Sequence, residues 1–152
     1  MNSIEFIEAT KREFSFLETQ YGFTIKEMGN KHLLAPHILY INATRAVRVY
    51  LDVKDNICGV MIYRCVDNVI PDWDDAENSV SLHLISEFVN TVYPYSGKPI
   101  PKVFSKEEYQ EIPLLKELHQ KAQSLNRLEA ILSGEKWISL SSQANSIKTY
   151  KF

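Results

Sequence analysis

Glycine is scarce in this chain: five occur in 152 residues, at 22, 29, 59, 97 and 134, and no two lie within four positions. Loops that cradle phosphate groups need several glycines at short fixed spacing so that backbone amides can approach the ligand, which brings that class close to exclusion. A Gly-x-Ser-x-Gly elbow is also missing, so the chain has no nucleophilic serine of the kind displayed at a tight strand-to-helix turn. There are two cysteines, Cys58 and Cys65. An odd separation within one expected strand points them to opposite faces, so they are read as two reduced, part-buried thiols of a cytosolic protein. No apolar stretch approaches the ~20 residues that span a bilayer. The start, Met-Asn-Ser-Ile-Glu-Phe-Ile-Glu, lacks the basic-then-apolar order of a signal peptide. The expected localisation is therefore cytoplasmic, with no membrane partner. An excess of positive charge is missing too: 17 Lys and Arg stand against 19 Asp and Glu, which gives no global attraction to nucleic acid.

The richest stretch lies between Ile38 and Cys65. Three runs dense in β-branched and aromatic residues are separated there by Asn42-Ala43-Thr44 and Val53-Lys54-Asp55-Asn56, the pattern of an antiparallel meander. In the middle run Val47, Val49 and Leu51 alternate with Arg48, Tyr50 and Asp52. The third run is apolar on both faces, as expected of a central strand covered twice. Phe23 to Met28 reads as a further short strand, Gly29-Asn30-Lys31 as a turn, and His32 to Ala35 as an edge segment before Pro36.

Helical periodicity flanks the meander. Asn2 and Glu5 form a capping box, and Ile7, Phe14, Leu17 and Tyr21 fall on one stripe of a helix that ends at Gly22. Phe6 and Phe16 lie off that stripe and imply a second contact, either with the last helix or with a partner. Residues 80–92 are expected to form a helix capped by Asn78 or Ser79 and ended by Pro94. Ser105 with Glu108 forms a second capping box. From Pro113, the positions Leu114, Leu115, Leu118, Ala122, Leu125, Leu128, Ile131 and Leu132 predict one long amphipathic helix closed by Gly134. The expected fold class is α+β: an N-terminal helix, an antiparallel meander of about four to five strands, and two to three C-terminal helices packed on the sheet. Residues 1–140 are read as one domain and 141–152 as a mobile tail.

The search for reactive constellations yields little. His83 and Glu87 share a helical face at i, i+4 without a third metal ligand, and a solvated or capping pair accounts for them. His32 and His37 flank Pro36 without a ligand pattern, and His119 sits among charges on the long helix. Counted as a calcium loop from Asp72, position six is Glu77 where glycine is wanted, and position twelve is His83 where a bidentate glutamate is required. No metal and no cofactor is expected. Between residues 66 and 78, Asp67, Asp72, Asp74, Asp75 and Glu77 surround Pro71 and Trp73 with no basic residue among them. A solvated acidic loop accounts for the charges alone. An indole between carboxylates adds an anchor of the hot-spot kind, and the charges speed docking onto a basic partner. Asp72, Trp73, Asp74, Asp75 and Glu77 are the candidate partner-binding residues.

Three segments resemble the immunity proteins of bacterial polymorphic-toxin and contact-dependent growth inhibition systems. They are Phe14-Ser-Phe-Leu-Glu-Thr-Gln-Tyr-Gly-Phe23, the meander from Arg45 to Arg64, and Ser79-Val-Ser-Leu-His-Leu-Ile-Ser-Glu-Phe88, entered from the acidic loop. The resemblance covers roughly residues 4–90 and is one of order and style. It implies a small, catalytically inert α+β protein that neutralises a cognate toxin domain by protein–protein contact, a basic nuclease domain being one such partner. Two other readings stand beside it. One is a small enzyme or ligand-binding domain, with a pocket between sheet and helix lined by Tyr40, Tyr50 or Tyr63. The other is a homodimeric assembly made through the meander or the Phe6/Phe16 face.

Overall fold

The computed structural model describes residues 1–29, 36–85 and 99–138. Two helices come first, α1 (Ser3–Glu13) and α2 (Phe16–Tyr21). Five strands follow, β1 (Thr24–Gly29), β2 (His37–Ile41), β3 (Arg45–Asp52), β4 (Ile57–Arg64) and β5 (Ser79–Ser81). Three helices complete the order, α3 (Lys106–Glu111), α4 (Pro113–Asn126) and α5 (Glu129–Leu132). The strands form one antiparallel sheet in sequence order, so the architecture is α+β with a meander at its centre.

Side-chain parity decides what each sheet face does. Ile38, Tyr40, Val47, Val49, Leu51, Cys58, Val60, Ile62 and Val80 join the core beneath the helices, where they meet Phe6, Phe14, Leu17, Leu118 and Leu125. The opposite face holds a smaller cluster of Leu39, Ala46 and Tyr63, flanked by Ile41, Met61, Cys65 and Ile70. Cys58 and Cys65 thus sit on opposite faces, and both are free. Burial and the neighbouring Glu117 push the Cys58 thiol up. β5 pairs only with Met61 to Tyr63, which leaves the first half of β4 without a neighbouring strand on that side among the described residues. The Glu117 carboxylate on α4 reaches across and accepts a hydrogen bond from the Cys58 amide at 2.9 Å. An edge amide that would otherwise be orphaned is satisfied from the helical layer.

Both capping boxes form as the sequence predicts, Asn2 with Glu5 on α1 and Ser105 with Glu108 on α3. Pro113 restarts the chain as the first residue of α4. All eight apolar positions from Leu114 to Leu132 are buried.

Several expectations change. The first helix is two, broken at Phe14-Ser15. The buried stripe of α1 is Phe6, Ala9, Thr10 and Glu13, with Ile7 at its border, while Phe14 and Leu17 of the expected stripe are fully buried beyond it. Two of the four residues buried in α1 are polar, so a hydrophobic periodicity lands on the flank of its stripe. Phe6 and Phe16 lie in the core and offer no surface for a homodimer. The long C-terminal helix breaks after Asn126, and α5 follows as a separate turn before Gly134 at φ +91.

The helix expected from residue 80 begins instead as a strand. Ser79, Val80 and Ser81 pair with Tyr63, Ile62 and Met61, and the chain turns helical from residue 82 to the last described residue, 85. The Val80–Leu82 alternation was a real strand signal, decided by the open edge of β4. The expected edge segment at 32–35, the rest of the helix to residue 92 and the tail from 141 lie outside the described residues.

Candidate functional site

The loop from Val66 to Asn78 leaves the sheet between β4 and β5. It opens with a tight reversal in which Val66 and Val69 exchange both backbone hydrogen bonds, at 3.1 and 2.9 Å. Asp67 and Asn68 between them take φ of +53 and +63. Two successive left-handed residues make the hairpin turn whose twist matches the strands, and Asp and Asn tolerate it better than most side chains. Ile70 then packs into the Leu39–Ala46–Tyr63 cluster and holds the turn against the sheet.

Asp75 closes the second half of the loop. Its Oδ1 accepts hydrogen bonds from the amides of Glu77 and Asn78 at 3.0 and 3.1 Å, and its Oδ2 accepts one from the Asn78 side chain at 3.1 Å. The Asn78 side-chain hydrogen bond, followed by the two amide bonds, holds the Asp75 carboxyl below its ordinary range. The Ser79 hydroxyl donates to the Asp72 carbonyl at 2.6 Å, and the Ser79 amide donates to the Asp75 carbonyl at 2.8 Å.

Two arginines and an indole anchor the loop from below. Arg45 and Arg64 are direct cross-strand partners, a like-charge pair that would normally destabilise a sheet. The Trp137 ring offsets this, lying 5.1 Å from the Arg45 guanidinium and 5.6 Å from that of Arg64. Arg45 also donates to the carbonyls of Ile131 and Lys136 at 2.8 and 3.0 Å, beyond the C-terminal end of the helical layer where a cation is favoured. Arg64 donates to the Asn78 side chain at 2.9 Å, and Trp137 Nε1 donates to the Glu77 carbonyl at 2.8 Å.

Of the five residues proposed for partner contact, Asp72, Trp73, Asp74 and Glu77 are exposed, and Trp73 shows 74% of its surface. Asp75 differs: its carboxylate is spent on the loop's own turn. The structure adds Val66 and Val69, both exposed, to the same loop. The Asp-Asn pair between two valines was the sequence signal for them.

A second constellation escaped sequence reasoning. Glu13 of α1 has no exposed side-chain surface, yet it carries an acidic group. Its Oε2 lies 2.8 Å from His119 Nδ1 of α4, and its Oε1 accepts a hydrogen bond from the hydroxyl of Tyr109 in α3. The amide of Val103 donates to that same hydroxyl at 3.2 Å. Burial and the adjacent Glu13 push the Tyr109 phenol up to about 12. Arg12 closes the region by donating to the Val103 carbonyl, with its guanidinium 4.1 Å from the Phe104 ring centre. One buried carboxylate therefore ties three helices together.

On the outer side of Tyr109 and His119 lies a cavity of about 680 Å³, walled by Lys102, Lys106, Tyr109, Gln110, Pro113, Lys116, His119 and Gln120. This is not the pocket expected at the tyrosines. Tyr40 points into the helix-side core, fully buried, whereas Tyr63 lies on the other face and Tyr50 covers Gly59 there. Parity alone forbids Tyr40 from sharing a pocket with the other two. No group of three metal-ligating side chains exists among the described residues, and no helix among them is long and apolar enough to cross a membrane. Comparison of the chain with protein-family models, with curated proteins and with solved structures returned no match.

Proposed function

We propose that this chain is a non-catalytic binding protein that presents its 66–77 loop to a protein partner. Its specific form is an immunity protein that meets a cognate bacterial toxin domain in the cytoplasm and neutralises it by contact. The observation that carries this reading is an indole 74% exposed on a loop whose backbone is held from both ends. Large aromatics are normally withdrawn from water. One displayed on a preorganised loop lowers the ordering cost of association, which otherwise consumes much of the energy of a contact. Val66 and Val69 of the same loop are also exposed, and the exposed Asp72, Asp74 and Glu77 flank Trp73 along the chain with negative charge. Such a rim governs the rate of encounter more than the lifetime of the complex.

The test starts with a pull-down from the native host, followed by binding kinetics with the captured toxin domain. Trp73→Ala is expected to weaken binding by about thirtyfold or more, the ~2 kcal/mol typical of a central aromatic anchor. The triple variant D72N/D74N/E77Q should slow association, most at low salt, with dissociation little changed. Asp75 is left intact because its removal would disturb the loop itself. Association rates and affinity unchanged in both variants would sink the assignment of this surface.

A further inference from the structure

The cavity beside His119 reverses the charge of the protein around it. The chain carries a net charge of −2, yet the charged groups on the cavity wall are Lys102, Lys106 and Lys116, with His119 at the back and no carboxylate among the lining residues. Glu13, the acid behind the wall, is taken up by Tyr109 and by His119 Nδ1. That contact fixes the imidazole: Nδ1 faces the carboxylate and the other ring nitrogen is left for the cavity. When the imidazole carries both protons, its Nε2–H can donate to an anion in the cavity. The first turn of α4 contains no acidic side chain, and its Pro113 and Lys116 line the cavity, so the positive end of a fourteen-residue helix adds to the field. The volume lies within the ~300–1,000 Å³ usual for small-molecule sites.

We propose that this cleft binds a small organic phosphate. The phosphate would sit among Lys102, Lys106, Lys116 and His119 Nε2, and the organic part would lie against the Tyr109 ring and Pro113. The lysines do what a glycine-rich loop does elsewhere, with point charges in place of backbone amides. The site is separate from the 66–77 loop and does not depend on the role proposed for it.

The test is an NMR titration of the His119 ring in the full chain at fixed ionic strength, using phenyl phosphate, inorganic phosphate and sodium chloride as probes. Saturable shifts with both phosphates, tighter for phenyl phosphate and absent with chloride, are expected. The variant K102Q/K106Q/K116Q should raise the phenyl phosphate Kd about tenfold, in line with three partly exposed ion pairs, without lowering the melting temperature. Lys26→Gln, on β1 near Cys65 at the sheet face opposite the helices, should leave Kd unchanged. Equal shifts with chloride, or a Kd unaltered in the triple-lysine variant, would overturn the site. Equal affinity for the two phosphates would overturn the organic part of the assignment.

Discussion

Glu13 offers the sharpest test of how the helical layer is held. The carboxylate has no exposed surface and its oxygens are divided between Tyr109 and His119. Glu13→Leu removes the shared acceptor and leaves a phenol and an imidazole facing an apolar side chain. Removing one member of a buried acid–imidazole–phenol cluster costs about 3–5 kcal/mol, because the partners have already been taken from water. For a chain of this length 1 kcal/mol corresponds to roughly 2–4 °C in Tm, so a fall of about 6–20 °C is expected.

Glu13→Gln should cost less, about 1–2 kcal/mol, since the carboxamide can still accept from Tyr109 and donate to a neutral imidazole. The combined replacement E13L/Y109F/H119L should regain most of the loss, as buried polar clusters exchanged whole for apolar groups often do. Urea unfolding followed by far-UV circular dichroism gives each value, provided the slope with denaturant stays constant. A Glu13→Leu protein within 1 kcal/mol of the parent would refute the reasoning. A triple variant no more stable than the single one would show that the loss comes from packing and not from stranded polar groups.

Two further outcomes follow from local geometry. A Cβ on Gly59 would stand 2.2 Å from Tyr50 Cζ, so Gly59→Ala must displace the tyrosine ring and should destabilise by about 1–3 kcal/mol. In a Tyr50→Leu background the same change should become neutral or stabilise by about 0.5 kcal/mol, and equilibrium unfolding of the four proteins reads the coupling directly. Asp75, whose folded carboxyl is held low by Asn78 and the loop amides, contributes stability at pH above the unfolded value of about 3.9 and loses it as pH falls through the folded value. The stability gap between the parent and Asp75→Asn should therefore close in acid, and a gap independent of pH would show that the ionised carboxylate plays no part in the turn.

Where the hydrophobic pattern was unambiguous, the sequence was sufficient. β3 and the start of β4 fall where alternation placed them, and both capping boxes and the Pro113 restart are read from side chains that act on their own backbone. Failures occurred where a distant partner decided the outcome. Val80 joined a strand because β4 had an open edge, and Glu13 was buried because Tyr109 and His119, about a hundred positions away, were there to receive it. The acidic loop was visible as composition. That Asp75 turns inward while Trp73 stays out depended on hydrogen bonds that composition does not contain.

The Arg45–Arg64–Trp137 stack makes the order of synthesis matter. Arg45 and Arg64 leave the ribosome long before Trp137, and until it follows they face each other across β3 and β4 with neither the indole between them nor the Ile131 and Lys136 carbonyls. The Glu77 carbonyl likewise waits for the Trp137 N–H. Display of Trp73 in its final setting is thus a late event in the life of a nascent chain, and a chain truncated before residue 137 would have the loop's sequence without its anchor.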